Sequence, residues 1–490
     1  MMRLTRMAIL LSTAALAVPA HADPLEDGFH NPPQQARPRV YWNWLNGNVT
    51  RDGITKDFEW MQRAGIAGVL NFEADLGTPV LIPQRVQYRT TEWKALIGHA
   101  AAEADRLNLE YYVLASPGWS ETGGPWVTPE EGMKKLVWAA TSVSGGRTVG
   151  KALKPAPTTT GAYQDMPAAP GFTLGPPEPP KPVAHYAATV AVLAFPAPAG
   201  DLAALPTPSI TTNGGALDPA LLNDGSYRAS QTLNFPADGE SLWVRYDYGS
   251  PQTIRSLTMG TAQSGPFLGN FLIGAVEVSD DGKHYRQIMT LPGGKPGGLS
   301  SGFPAATMAL PETTARYWRI AWEAKLPPSS MEGTPFAVTS NTVYELAFHS
   351  GARVHLPEIK AGSMVGLDLD AIATRPLSPR FAVDPAAIID VTSYLRTDGA
   401  LDWTPPRGQW IILTFGYSLT GRENHPAAPD ARGLEVDKLN AAHVRRYTEE
   451  FLRPMIEAAG PHHGSRGLRG IEADSYEVGS ANWTEDMARL

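Results

Sequence analysis

The stretch from Gly470 to Thr484, GIEADSYEVGSANWT, sets three carboxylates, Glu472, Asp474 and Glu477, beside Tyr476, Asn482 and Trp483. Carboxylates gathered at the end of one short strand suit proton transfer. A protonated carboxyl donates to a departing oxygen, while an ionised one activates water or steadies developing positive charge. Aromatic and amide neighbours stack on and hydrogen-bond to hydroxyl-bearing rings. The chemistry that uses all of these groups together is cleavage of a glycosidic bond.

Such groups act only when a scaffold gathers them, and the first part of the chain reads as one. VYWNWLNG (Val40 to Gly47) is a strand, followed by Thr50 as N-cap, Ile54, Phe58 and Met61 at helical spacing, and Gly65 as the stop. AGVLNFEA (Ala67 to Ala74) is a second strand. The spacing then predicts a helix over Thr91 to Leu107, with Leu96, Ala100, Ala104 and Leu107 on one face, and a third strand, LEYYVLASPG, that ends at Gly118. Repeated strand–helix units predict a (β/α)8-type barrel or an open α/β sheet. A helical period returns between Asp437 and Gly460, with Val444, Tyr447, Phe451 and Met455 on one stripe and Pro454 kinking the last turn. The strand GLRGIEADSYE follows, which reads as the same barrel resuming.

Between these parts the pattern changes. Residues 145–205 are dense in Pro, Gly, Ala and Thr, and GPPEPPKP sustains neither helix nor central strand, leaving HYAATVAVLAF (His185 to Phe195) as the one strand there. Residues 206–350 show short alternating strands with turns: NDG at Asn223, LWVRYDYG at Leu242, VEVSDDGKHY at Val276 and ARYWRIAW at Ala315. This stretch is a β-sandwich and resembles a galactose-binding-like jelly roll. Further β structure follows in PRGQWIILTFGYSLTG. The expected architecture is α/β plus β, an incomplete barrel interrupted by the sandwich. Its boundaries are 23–144 for the first barrel part, 145–205 for the connection, 206–350 for the sandwich, 351–432 for an additional β segment and 433–490 for the resumed barrel.

Composition narrows the function classes. The 490 residues carry 41 basic and 49 acidic side chains, a net charge of −8, with no Lys/Arg cluster to neutralise phosphates, so nucleic acid is not an expected partner. Arg3 and Arg6 precede an apolar run from Met7 to Val18 that ends at Ala20-His21-Ala22, the pattern of a secretory signal peptide over residues 1–22. The expected location is therefore periplasmic or secreted. No later stretch is apolar enough to span a bilayer. Cysteine is absent, which removes disulfides and thiolate chemistry. Thirteen Trp and sixteen Tyr bias an exported chain toward sugars, although core packing accounts for most single aromatics.

On a barrel, residues at the C-terminal strand ends face the catalytic mouth. Those are Trp44 and Asn46, then Glu73 and Asp75, then Ser116, Trp119 and Glu121, and last Asp474 and Glu477. For Glu73 and Asp75 a loop or cap role has equal weight. Trp483 is placed to flank a sugar. Asn48-Val49-Thr50 and Asn482-Trp483-Thr484 match the N-glycosylation acceptor pattern, which is common by chance. His425, His443, His462 and His463 fit no helical HExxH or Cys/His zinc spacing, and no nucleophile elbow, P-loop or dinucleotide fingerprint is present.

Several long words in the same order resemble glycoside hydrolase family 106, the α-L-rhamnosidases: RPRVYWNWLNGNVTRDGITKDFEWMQRAGIAGV, SPGWSETGGPWVTPEEGMKKLVW, GLEVDKLN and EADSYEVGSANWT. The resemblance implies hydrolysis of terminal rhamnosides with inversion, by two glutamates on a (β/α)8-type barrel, assisted by calcium. It implies Glu477 as general acid with Asp474 and Tyr476 as supporting neighbours. Glu435 and Asp437 would lie near the substrate, and Trp44, Asn46 and Trp119 in the pocket. Family members are longer, so this chain is expected to be an N-terminal portion, with the general base beyond Leu490 and apolar sheet edges exposed. Two other readings remain open: a non-catalytic carbohydrate-binding protein, and a glycosidase of different sugar specificity. Oligomeric state has no signal in the sequence.

Overall fold

The structure, a computed structural model, describes residues 24–168, 181–198, 204–237, 239–262, 274–291, 305–323, 339–364, 372–373 and 378–489. The expected signal segment and most of GPPEPPKP lie outside the described residues.

The first part runs α1 (Pro24–His30), β1 (Arg39–Leu45), α2 (Arg51–Arg63), β2 (Gly68–Ala74), α3 (Thr91–Arg106) and β3 (Glu110–Leu114). As the sequence predicts, Thr50 caps α2, its hydroxyl accepting from Gly53 N at 3.1 Å, and the helix buries Ile54, Phe58 and Met61. Thr90 does the same for α3 by accepting from Trp93 N. The middle of the chain contains β4 (Lys134–Ser144), β5 (Ala187–Pro196), β6 (Ser209–Thr212), β7 (Gln231–Asn234), β8 (Leu242–Ala262), β9 (Gly274–Ser279), β10 (Arg286–Thr290), β11 (Ala305–Trp322), β12 (Ser340–His349), α4 (Pro357–Lys360), β13 (Ile389–Asp390) and β14 (Gln409–Leu419). Then come α5 (Ala441–Ala459), capped by Asn440 and carrying Pro454 inside it, and β15 (Leu468–Glu472).

β1, β2, β3 and β15 form one parallel sheet in that spatial order. The late strand therefore lies beside the early ones in one sheet. Alternation along β1 buries Trp42 and Trp44 on the face covered by helices, where Trp42 meets Phe58 edge-on with ring centroids 5.0 Å apart. On the other face Tyr41 is 56% exposed and packs edge-on against Phe72. α3 and α5 approach so closely that a Cβ on Gly98 would lie 2.3 Å from the Ala458 carbonyl oxygen, so only glycine fits there. Among the described residues the four parallel strands form no closed barrel.

A second sheet, β13-β5-β14-β4, is antiparallel. β4 pairs with β14 along its whole length, from Lys134 with Leu419 to Ser144 with Gln409. Residues 134–144, grouped by the sequence reading with the first parallel part, thus belong to a sheet drawn also from the stretches expected to start at 145 and 351. The third sheet, β10-β9-β11-β8-β12-β7 with β6 on β8, is built from residues within 206–350. Its core holds Leu242, Val244, Tyr246, Trp318, Ile320 and Trp322, the alternate positions of two strands. No described helix is long and apolar enough to cross a membrane.

Candidate active site

The C-terminal ends of the parallel strands are tied to one another and to residues 420–440. Asn46 N donates to Ala74 O at 2.8 Å and Gly118 N to Glu73 O at 2.6 Å, linking the ends of β1, β2 and β3. Trp119 N donates to His425 O at 3.1 Å, Asp75 N to Pro426 O at 3.2 Å, and His425 N to Ser120 Oγ at 3.0 Å. Fully buried Asn424 donates to Pro117 O and Ala431 O and accepts from Gly433 N, which satisfies its amide on both sides. Gly118, at φ +82, has no room for a side chain because a Cβ would lie 2.6 Å from the His425 carbonyl. Segments on either side of the two antiparallel sheets therefore close on one another.

Glu435 sits inside this junction, fully buried. Its Oε2 accepts from Thr122 Oγ1 at 2.5 Å and from Lys438 Nζ at 2.8 Å, while its Oε1 is buried with no hydrogen-bond partner. Burial pushes its pKa up; the Lys438 charge and the bonds from Lys438 and Thr122 act the other way. Asp437 is also fully buried, with Oδ2 3.4 Å from Lys134 Nζ and Oδ1 accepting from Leu439 N. Lys134, buried in turn, donates to Glu130 O and Gly132 O.

Glu73 points the other way, toward the helices. Both its oxygens lie 2.9 Å from the donating Trp93 Nε1, and burial pushes its pKa up to about 8, so the carboxyl is largely neutral at pH 7. Nearby Asp430 accepts from Arg85 Nη2 and Tyr88 N, each at 2.6 Å, and Arg85 Nε donates to Asn46 Oδ1 at 2.7 Å.

Past β15, Asp474 is exposed, accepting from Ser475 Oγ at 2.9 Å and from the Tyr41 hydroxyl at 3.4 Å. Glu472 is half-buried, and burial together with the Asp474 charge raises its pKa. Tyr476 is 52% exposed, with Lys438 Nζ 5.3 Å from its ring centroid. Glu477 follows it, half-buried.

Of the residues singled out from the sequence, Glu435, Asp437 and Trp119 belong to this junction, and the loop bearing Asp474 and Glu477 reaches it through Tyr476 and Lys438. Trp44, 3% exposed, is packed in the helix-side core against Trp42, ring centroids 5.4 Å apart. Asn46 spends its side chain on Arg85 and on Thr78 O, and Asp75 accepts from Gly77 N as a turn. Ser116 donates to Ser120 O. Asn482 donates to Ala361 O and accepts from Leu136 N, and Trp483 is half-buried with an unpartnered indole nitrogen. Sequence reasoning missed Thr122, Lys134, Lys438, Arg85 and Asp430. Lys438 had a signal, since it stands three residues past Glu435 in GLEVDKLN; the others had none.

Calcium takes six to eight oxygens. No group of three or more His, Asp or Glu able to hold a metal occurs among the described residues, and lysine ammoniums flank both buried carboxylates of the junction. These residues do not fit calcium.

The C-terminal ends of parallel strands in a β/α scaffold are where such folds hold their catalytic groups, and here that end gathers buried carboxylates. Residues 30–489 match the family model Glyco_hydro_106, described as alpha-L-rhamnosidase, and the chain belongs to that family of glycoside hydrolases. The structure of a rhamnosidase from Novosphingobium sp. PP1Y is similar at 39% identity and a TM-score of 0.76, over 96% of this chain and 41% of that one. A Formosa agariphila protein with a provisional beta-glucuronidase name is 26% identical over 461 residues, which is 94% of this chain and 24% of that protein. The chain thus spans less than half the length of either. The expected restriction to an N-terminal portion is not borne out by the family match.

Proposed function

We propose that the protein is an exported glycoside hydrolase that releases terminal α-L-rhamnose with inversion, on a (β/α)8-type barrel, with Glu477 as the proton donor. The observation that supports this reading is the junction itself: the loop after β3, the Glu435 segment and the Tyr476–Glu477 loop share one rim at the C-terminal ends of parallel strands. Glu477 gives its proton to the glycosidic oxygen as the bond to the anomeric carbon breaks, and water adds from the opposite face. Inversion needs a second carboxylate about 6.5–9.5 Å from the first. No described carboxylate is assigned that part. Export follows from Arg3, Arg6 and the apolar run after them.

The test is Glu477→Gln in the intact protein, assayed on aryl α-L-rhamnosides of graded leaving-group ability. Loss of a general acid lowers the rate by about 10²–10⁴-fold on poor leaving groups and much less on good ones. Equal rates for variant and unaltered protein on the poorest leaving group would refute the assignment. Because one relative has a glucuronidase name, aryl β-glucuronides belong in the same panel. Faster cleavage of those than of rhamnosides overturns the sugar class while leaving the donor intact.

A further inference from the structure

We infer that Lys438, held by buried Glu435, is a positioning residue that clamps Tyr476 and so fixes the loop carrying Asp474 and Glu477. The inference rests on the proposed role of Glu477 and goes beyond it by naming what holds that carboxyl in place.

The foundation of the clamp is rigid. Glu435 N donates to Arg422 O, its carbonyl accepts from Met133 N, and Val436 N donates to Thr122 Oγ1, so the backbone around Glu435 is pinned from three segments. Thr122 and Lys438 share one carboxylate oxygen, Oε2. Asp437 N donates to Glu131 O, and Asn440, two residues past Lys438, caps α5, so the lysine backbone sits between two fixed points.

The far end of the clamp is the loose one. Tyr476 lies on a loop without regular secondary structure and is more than half exposed. The Lys438 ammonium, with one flank committed to Glu435 and its side chain 18% exposed, lies 5.3 Å from the centre of the Tyr476 ring, within cation–π range. Glu435 thus orients Lys438, and Lys438 holds the ring one residue before Glu477. A carboxyl that must meet a glycosidic oxygen gains from such a tether, because an error of about 1 Å costs up to a hundredfold in rate.

The experiment uses the intact protein in three variants: Lys438→Met, Lys438→Arg and Tyr476→Leu. The first readout is the rate at which a glutamate-specific protease cuts after Glu477, located by mass spectrometry under native conditions. Lys438→Met and Tyr476→Leu raise that rate about two- to fivefold, the population change a cation–π contact at an exposed site supports; the global urea midpoint of Tyr476→Leu stays put, whereas Lys438→Met also strands the buried Glu435 carboxylate and lowers its midpoint. Lys438→Arg restores slow cleavage, since a guanidinium satisfies both the carboxylate and the ring. The second readout is kinetic: Lys438→Met lowers kcat on aryl rhamnosides more than it raises KM, and Lys438→Arg recovers it. Unchanged cleavage after Glu477 in both Lys438→Met and Tyr476→Leu overturns the clamp. Tyr476 is exposed enough that its variant folds even if the lysine variant does not. The protease readout needs no substrate, so a clamp without rhamnosidase activity in the unaltered protein counts against the proposed reaction and not against the clamp.

Discussion

Glu73→Gln isolates one buried carboxyl. Glu73 has an ordinary pKa of 4.5 and is pushed up to about 8 by burial beside Trp93. Below 4.5 the group is protonated in folded and unfolded chains alike, and it contributes nothing. Between 4.5 and 8 the unfolded chain releases its proton while the folded one keeps it, so stability falls as pH rises through that window and levels off above it. The upper bound is about 5 kcal/mol at 1.36 kcal/mol per pH unit, and partial access of solvent to the residue brings this to about 2–3 kcal/mol. Glutamine keeps the shape and still accepts from Trp93 Nε1 through its amide oxygen, yet does not titrate. Urea unfolding followed by tryptophan fluorescence at pH 5 and pH 8.5 should show variant and unaltered protein closer at pH 5, with the variant gaining about 2–3 kcal/mol relative to the unaltered protein by pH 8.5. Glu345, also raised to about 8, and Lys135, lowered to about 7, are present in both proteins and cancel. A stability gap that is the same at both pH values would show that Glu73 is ionised in the fold and that the reasoning from its burial is wrong.

Two further outcomes follow from burial and close approach. Lys135 is buried, donates to Thr159 O and Leu419 O, and is pushed down to about 7, so the unfolded chain binds more protons between about 7 and 10.5. Relative to Lys135→Met, the unaltered protein should therefore gain about 2 kcal/mol between pH 7 and pH 9 in denaturant titrations, and a flat difference contradicts the shift. Gly98→Ala sets about 1 kcal/mol of improved helix propensity against a Cβ only 2.3 Å from Ala458 O, and the clash wins by about 1–2 kcal/mol. A rise in its urea midpoint would mean that α3 and α5 separate freely.

What the sequence made legible was local. Thr50, Ile54, Phe58, Met61 and Gly65 fix α2 to within a residue or two because capping, period and stop agree. The late strand was legible as a return to the early β/α pattern, but its place beside β3 was not. The partnership of β4 with β14 left no mark: antiparallel partners hundreds of residues apart carry the same alternation as any other strand. The direction of Trp44 and Glu73 was equally hidden. Period-two alternation separates two faces of a strand, and on β1 it sets Trp42 and Trp44 opposite Arg39, Tyr41 and Asn43, but an expected barrel mouth does not say which strand-end side chains turn back toward the helices. Glu435 and Asp437 entered through a resemblance; Lys438 stands three residues past Glu435, but the approach of Lys134 to Asp437 is a fact of folding at long range.

The bond from His425 N to Ser120 Oγ joins residues 305 apart, and its timing on the ribosome matters. At about 5–20 residues per second, Ser120 waits roughly 15–60 s for its partner to be made. Throughout that interval the early β/α units exist without the segment that locks their mouth, while the antiparallel sheets between are synthesised and begin to pair. Slowing synthesis of residues 420–440 should therefore expose the nascent N-terminal units to proteolysis before it harms any other part.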